Sequence, residues 1–121
     1  MGVVISKMQK ANRFDCEANR FEIYWINLNS TIGSEITKIR PCVIISPNEI
    51  HNLSTRLIAP ITSKGFDAPY RINFRLLDKE AKILCDQIRC VSLQKLHQKI
   101  GELPSDVAQK LSALLCEMFA L

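Results

Sequence analysis

Residues 27–47 decide the fold, and they read NLNSTIGSEITKIRPCVIISP. The centre of this stretch, residues 30–35, has turn chemistry, because Gly33 can adopt a positive φ and the small hydroxyl side chains can hydrogen-bond to the local backbone. The run CVII at residues 42–45 is short, apolar and largely β-branched, and SPN follows it. This pattern predicts a strand end, a polar loop and then a buried strand.

An arginine precedes that buried strand. Pro41 biases Arg40 towards an extended backbone and lacks a backbone donor, so it suits the first residue of a strand. The guanidinium of Arg40 is then fixed at the mouth of a strand, beside a loop rich in hydroxyl groups. Because a planar guanidinium binds oxyanions through two parallel hydrogen bonds, the arrangement suits a phosphate.

Three blocks of sequence occur in an informative order. GSE at residues 33–35 is followed five residues later by Arg40-Pro41 and an apolar strand, and the other blocks are APITS at residues 59–63 and CDQIR at residues 85–89. Together they resemble the MazF/PemK family of bacterial toxins, in the order and spacing of that family. The resemblance covers about residues 21–121.

The resemblance implies a mainly β or α+β domain, a small SH3-like β-barrel with a C-terminal α-helix. Most members are sequence-specific endoribonucleases, each neutralised by a cognate antitoxin, and they are usually homodimers in the cytoplasm. Residues 21–121 are predicted to form this single domain, and residues 1–20 an N-terminal extension that members usually lack. For the extension we favour a poorly ordered basic arm; an upstream start codon, with Met8 as an internal start, and a short packed helix are the alternatives.

Composition sets broad limits. A length of 121 residues supports one domain, and a net charge of +4 permits a nucleic-acid partner without demanding one. No apolar run approaches the length that spans a membrane. The five cysteines form no Cys-x-x-Cys pair, which argues against a disulfide framework or a zinc site. Four of them have apolar neighbours and are predicted to be buried: Cys42, Cys85, Cys90 and Cys116.

The elements follow from periodicity. Strands are predicted at residues 21–28, 42–46, 56–61 and 70–76, with one or two more over residues 81–92. A charged turn is predicted at residues 78–80, and a short helix at residues 92–98. Ser105 is predicted to cap a terminal helix, whose apolar stripe packs on the sheet.

RNA can be cut without a metal ion. Its 2′-OH attacks the adjacent phosphorus, which leaves a 2′,3′-cyclic phosphate and a 5′-OH. The protein must then assist proton transfer and stabilise the charge on the phosphorane oxygens. Arg40 suits the stabilising role because its high pKa keeps it charged, and Thr62 offers a hydroxyl that can hold the phosphate. The resemblance implies that Arg40 and Thr62 are the catalytic pair.

Other polar residues have two interpretations. Asp86 could act as a base, as the matching carboxylate does in the PemK-like branch of the family, but Leu84 and Ser34 stand where that branch has an arginine and a histidine. A structural role, in which backbone amides or Arg89 fix the carboxylate at a strand end, is equally open. Glu35 either assists Arg40 or is an exposed loop carboxylate, and Ser63 is a candidate for catalysis or RNA binding. The residues predicted to bind RNA are Gly33, Ser34, Lys38, Lys64, Gln87 and Arg89.

Several alternatives remain at this stage. His51 could be a general base, but an exposed loop histidine is favoured. Arg71 and Arg75 share one strand face and point to solvent or RNA, and an unstacked base could rest on Trp25, Phe66 or Tyr70. No ligand set for a metal ion is apparent. The family commonly has a glycine at position 21 and a proline at position 30; the second departure predicts that residues 30–39 move until RNA or antitoxin binds.

Two other functions compete with the nuclease. One is a toxin of related fold that poisons DNA gyrase by binding and cuts nothing. The other is a nucleic-acid-binding module that has lost its activity. The Arg40 and Thr62 match argues for the nuclease, because a protein that only binds has no need of that pair.

Overall fold

The computed structural model of this chain describes residues 18–29 and 38–120. Within these ranges it forms seven β-strands and one α-helix. The elements are β1 Glu22–Asn27, β2 Ile39–Ile44, β3 Thr55–Thr62, β4 Arg71–Leu76, β5 Lys79–Leu84, β6 Arg89–Ser92, β7 Leu96–Glu102 and α1 Ser105–Met118. Short 3₁₀ turns occupy Asn48–Ile50, Cys85–Gln87 and Leu93–Lys95. No helix in this part of the chain is long and apolar enough to cross a membrane.

The strands form one curled antiparallel sheet, in the order β4-β5-β3-β2-β1-β7. Strand β6 pairs with the first half of β3, and β5 pairs with its end, so β5 and β6 follow each other along one side of β3. The curl makes the sheet a half-barrel, and α1 packs against it. The mainly β architecture with a C-terminal helix, predicted from the sequence, is confirmed.

Side-chain alternation gives the sheet two buried faces. One face, which we call the helix face, carries Ile23, Val43, Ala59 and Ile61, and it packs with Leu111 of α1. The opposite face carries Tyr24, Ile26, Cys42, Ile44 and Ile58, which pack with Val91, Leu93 and Leu96. Successive residues along β2 and β3 therefore belong alternately to the helix-face cluster and to the cluster on the opposite face. The face on which a residue of these strands projects follows from this alternation.

Two local predictions near the C-terminus differ from the structure. Of the short helix predicted at residues 92–98, only Leu93–Lys95 are helical, as a 3₁₀ turn, and the chain then continues directly into β7, because the free edge of β1 offers hydrogen-bond partners to that strand. Ser105 does not cap α1, since Pro104 is the N-cap residue and no side-chain cap hydrogen bond forms. The helix begins instead with the amide of Ala108 donating to the carbonyl of Pro104 at 2.9 Å.

Other boundaries moved by a few residues. Strand β2 begins at Ile39 and includes Pro41, three residues ahead of the predicted start. The predicted charged turn at residues 78–80 lies one residue earlier, at Leu77 and Asp78, whose φ angles are +53° and +64°. This pair of positive values is typical of the two-residue turn whose twist matches a hairpin.

Of the four cysteines in the described part of the chain, two are buried and two are exposed. Cys42 and Cys85 are buried as predicted, and burial raises the pKa of the Cys42 thiol to about 12. Cys90 and Cys116 are exposed, which contradicts the prediction. Cys90 alternates with the buried Val91 and stands opposite the exposed Leu57, where the helix face is not covered.

The start of the described chain is tied to the domain. Ala18 is buried, and its carbonyl accepts a hydrogen bond from Nε of the buried Arg56 at 3.1 Å. Phe21 adopts a φ of +73°, so this chain keeps a left-handed backbone where the family has glycine. Its amide donates to the carbonyl of Ile44 at 2.7 Å. That 1–20 forms a separate extension stays a prediction, and residues 1–17 lie outside the described ranges.

Candidate functional site

Arg40 and Thr62 lie side by side in the sheet. The register between β2 and β3 pairs Cys42 with Pro60, and this register, extended by two residues along each strand, places Arg40 opposite Thr62. Directly opposite residues of an antiparallel pair project on the same face, with Cβ atoms about 5 Å apart. The structure thus brings the two predicted catalytic residues together, although they are 22 positions apart in the sequence.

A groove of about 590 Å³ extends from this pair on the opposite face, and we call it the basic groove. Its cations are Lys38, Arg40 and Arg89, none of which forms an ion pair with a carboxylate of residues 18–29 or 38–120. Gln87 also lines it, as do apolar side chains such as Leu28. Three predicted RNA-binding residues therefore meet the catalytic pair in one positively charged groove.

A second groove, of about 680 Å³, adjoins the pair on the helix face. We call it the apolar groove, because exposed Trp25, Ile39 and Leu77 line it. Ser63 and Lys64 also belong to this groove. Arg40 and Thr62 line both grooves, so the pair stands at their junction.

The hydroxyl group of Thr62 is already oriented. Its oxygen accepts a hydrogen bond from the backbone amide of Lys64 at 3.1 Å. A threonine hydroxyl can donate one hydrogen bond while it accepts another. The proton of Thr62 is therefore available to a phosphate oxygen held by Arg40.

Asp86 lies outside both grooves, in the 3₁₀ turn between β5 and β6. Its two carboxylate oxygens accept from Nε and Nη2 of Arg71, each at 3.3 Å. Partial burial opposes ionisation, but the hydrogen bonds from Arg71 and its charge outweigh that effect and lower the pKa of Asp86. A carboxylate held in this way is a weak base, so the contact supports the structural alternative.

The other arginine and aromatic candidates have defined partners. The guanidinium of Arg71 stacks over the exposed ring of Phe66 at 4.5 Å, and Arg75 pairs with Glu80 at 3.7 Å. Of the three predicted stacking residues, Trp25 lines a groove that includes Arg40 and Thr62. Phe66 and Tyr70 lie outside both grooves.

His51 does not reach the site. It follows the C-terminal end of β2, whereas Arg40 is near the N-terminal end of that strand. The expectation of an exposed histidine was wrong, because the ring is half-buried and its Nε2 lies 2.9 Å from Oγ of the buried Ser46. That contact explains its position and leaves it no role as general base.

The stability of the fold should depend on pH through His51. Partial burial and the positive charge of Arg56 lower the pKa of His51 below 6.5. The unfolded chain then binds a proton more readily than the folded one, so stability is present above the unfolded pKa and is lost as the pH falls through the folded pKa. We expect the free energy of urea unfolding to decrease between about pH 7.5 and about pH 5.5, and to decrease less in His51→Gln. Identical pH profiles would contradict this role.

Gly33, Ser34 and Glu35 lie outside the described residues, as does most of the loop predicted to move. The residues that flank it are fixed. The amide of Leu28 donates to the carbonyl of Lys38 at 2.8 Å, and Nζ of Lys95 donates to the carbonyl of Asn29. Leu28 and Lys38 both line the basic groove.

Sequence reasoning missed one residue beside the pair. Lys82 of β5 stands directly opposite Thr62 in the β3–β5 register. The signal was present, because Ala81 and Ile83 are apolar and Lys82 between them must point to the other face of a strand.

Comparisons with known proteins agree with this fold. A family model described as PemK-like, MazF-like toxin of type II toxin–antitoxin system matches residues 19–119. Endoribonuclease EndoA of Bacillus subtilis (strain 168) is 28% identical over 110 residues, which are 84% of this chain and 94% of that protein.

Solved structures are similar in fold at lower identity. MazF (Form-I) from Deinococcus radiodurans aligns with a TM-score of 0.70 and 20% identity, over 85% of this chain and 96% of that chain. An endoribonuclease in complex with its cognate antitoxin, from a mycobacterial species, aligns with a TM-score of 0.69 and 17% identity, over 82% and 91% of the two chains.

Proposed function

The chain belongs to the PemK-like, MazF-like toxin family of type II toxin–antitoxin systems, and from this membership we propose that it is a sequence-specific endoribonuclease that cuts single-stranded RNA without a metal ion. The observation that carries the proposal is the placement of Arg40 opposite Thr62, at the junction of two grooves. The similarity to EndoA, an endoribonuclease, supports the same reaction class.

The proposed reaction uses the nucleophile that RNA itself carries. The 2′-oxygen forms a bond to phosphorus as the bond from phosphorus to the 5′-oxygen breaks, which yields a 2′,3′-cyclic phosphate and a 5′-OH. Arg40 donates to the non-bridging oxygens, where charge increases in the transition state, and Thr62 donates its hydroxyl proton as a hydrogen bond to the same phosphate. The proton of the 2′-OH leaves as the 5′-oxygen gains one, and Glu35 is the preferred candidate for that transfer.

The basic groove is suited to the strand that flanks the scissile bond. Lys38 and Arg89 supply charge for phosphates, and Gln87 supplies both a donor and an acceptor for a base edge. Sequence-specific proteins read RNA mainly where it is single-stranded, because unstacked bases expose those edges. Ser63 and Lys64 extend the same polar contacts on the other side of Thr62.

The proposed partners are a cognate antitoxin and a second copy of this chain, in the cytoplasm. One structural relative was solved with its cognate antitoxin, and others are MazE–MazF assemblies. We place antitoxin contact at the apolar groove, because the exposed Trp25, Ile39 and Leu77 there suit apolar side chains of a bound peptide. A peptide in this groove would also cover Arg40 and Thr62.

The deciding experiment is cleavage of a long unstructured RNA by the purified protein in excess EDTA, followed by analysis of the product ends. Cleavage at a short motif with cyclic-phosphate ends is expected. Folded protein that cuts no RNA would overturn the proposal, and inhibition of DNA gyrase would then be the next assay. Cleavage only when a divalent ion is restored would overturn the metal-free mechanism alone.

A further inference from the structure

Thr62 has a cation on each side of it in the sheet. Arg40 of β2 stands opposite Thr62, and Lys82 of β5 is its partner on the other side. The neighbouring pair Ile61 and Ile83 belongs to the helix-face cluster, so Thr62 and Lys82 both project on the opposite face. With strands about 4.8 Å apart, the backbones of Arg40 and Lys82 are about 10 Å apart, with Thr62 between them.

We propose that Lys82 is a second phosphate-binding cation of this site, and that Asp67 occupies it as an internal competitor until RNA binds. The proposal rests on the proposed function and names a further residue for it. Arg40 and Thr62 hold the scissile phosphate, and Lys82 holds a neighbouring phosphate of the same strand, so that the RNA crosses β2, β3 and β5.

The surroundings of Lys82 form a receptor for an anionic oxygen. Its Nζ donates to Oδ1 of Asp67 at 2.8 Å and to Oδ1 of Asn73 at 2.9 Å. Nδ2 of Asn73 donates to the same Asp67 oxygen at 3.2 Å. One carboxylate oxygen thus accepts from an ammonium and an amide, as a phosphate oxygen would at the same position.

Asp67 is the replaceable member of this cluster. The side chain of Lys82 is only 19% exposed, whereas that of Asp67 is 78% exposed. Asp67 also lies in the connection between β3 and β4, while Lys82 and Asn73 are paired residues within β5 and β4. Because water reaches the carboxylate of Asp67, its attraction to Lys82 is weakened, so a phosphate that also contacts Arg40 and Thr62 can displace the carboxylate.

The nearby pair of Arg71 and Asp86 shows the contrast. It is joined by two hydrogen bonds, and its side chains are 11% and 30% exposed. Both partners are therefore better fixed than Asp67. The geometry makes Arg71 a permanent anchor for the turn that carries Asp86 and makes Lys82 a cation that can change partner.

The test measures how the protein binds a short single-stranded oligoribonucleotide with 2′-O-methyl groups, which lacks the attacking hydroxyl. Asp67→Asn removes the competing charge and keeps the side-chain size, so the Kd should fall about two- to fivefold. Lys82→Gln should raise the Kd and reduce the slope of log Kd against log salt by about 0.7, the value for one phosphate contact on a single strand. A purely structural role for Lys82 would leave that slope unchanged.

Two controls separate this effect from others. Glu102→Gln removes the same charge from an exposed ion pair with Lys99 on β7, and it should leave the Kd unchanged. In a Lys82→Gln background, Asp67→Asn should have no effect, because the competitor then has no cation to occupy. Thermal unfolding of each variant shows whether it is folded, and Asp67→Ala serves as a second variant if the amide of Asp67→Asn still binds Lys82.

The outcomes distinguish this inference from the proposed function. Unchanged binding in Asp67→Asn, Asp67→Ala and Lys82→Gln, with cleavage by the unsubstituted protein intact, would overturn the role of Lys82 and leave the nuclease standing. Failure of the unsubstituted protein to bind the oligoribonucleotide would also overturn it. The expected changes in Kd without cleavage of any RNA would support the phosphate site while the nuclease proposal fails.

Discussion

Arg40→Ala is expected to lower kcat for RNA cleavage by a factor of about 10² to 10³, the usual effect of removing one charge-stabilising donor from an active site. The alanine variant loses both the charge and the fork of parallel N–H groups that a phosphate requires. Arg40→Lys should recover only part of the rate, because an ammonium keeps the charge but cannot bind two oxygens in the same plane. The measurement is the initial rate of cleavage of one RNA that contains the recognised motif, by the unsubstituted protein, Arg40→Ala and Arg40→Lys.

The same cleavage assay tests the role of the Thr62 hydroxyl. Thr62→Ala should also lose most of the activity, whereas Thr62→Ser keeps the hydroxyl that the amide of Lys64 orients and should retain much of it. Lys110→Ala, on the exposed side of α1, is the matched control and should cleave at the normal rate. Full activity in Arg40→Ala, with folding verified by circular dichroism, would remove Arg40 from the mechanism and leave the two grooves without an assigned chemistry.

Leu111→Ala should destabilise the fold by about 2–5 kcal/mol. Leu111 is fully buried in α1 and packs in the helix-face cluster with side chains of β1 to β3. Truncation loses the transfer free energy of the removed carbons and leaves a cavity beneath the helix. Because a domain of this size has a stability of only about 5–15 kcal/mol, the melting temperature should fall by about 10 °C or more.

Urea unfolding followed by circular dichroism measures this loss directly. Lys110→Ala is again the comparison, since it changes the neighbouring position of the same helix at the surface and should shift the midpoint little. A midpoint for Leu111→Ala within error of the unsubstituted protein would mean that α1 contributes little to the stability of the sheet. The helix would then have to be regarded as energetically separate from the sheet on which it packs.

Local sequence determined most of the secondary structure but not its pairing. The alternation in β4 and the apolar run in β2 are visible without a structure, because each depends on a few adjacent residues. Residues 96–98 were assigned to a helix because their strand character depends on β1, which lies far away in the sequence. The turn at Leu77 and Asp78 was misplaced by one residue, since a leucine does not signal the positive φ that Leu77 adopts.

The candidate site shows the same limit. Arg40 and Thr62 could be named from motifs, and their placement on one face follows from a register that the sequence does not state. The side-chain partner of Asp86 is Arg71, which lies 15 positions earlier in the sequence on β4, the strand that pairs with β5 just before Asp86. Lys82 became a candidate only because the pairing of β5 with β3 places it opposite Thr62. Contacts across strands are set by tertiary pairing, which local propensity does not encode.

The position of β1 between β2 and β7 has a consequence for the time at which the protein becomes active. Strand β1 is made first, but its second neighbour begins at Leu96, 69 residues after β1 ends at Asn27. At about 5–20 residues per second, a ribosome needs about 3–14 s to supply that partner. The nascent chain therefore carries β1 with one edge unsatisfied during most of its synthesis. The sheet cannot be completed until β7 has been translated, which is late in the synthesis of the chain. The protein therefore cannot act as a toxin before that point.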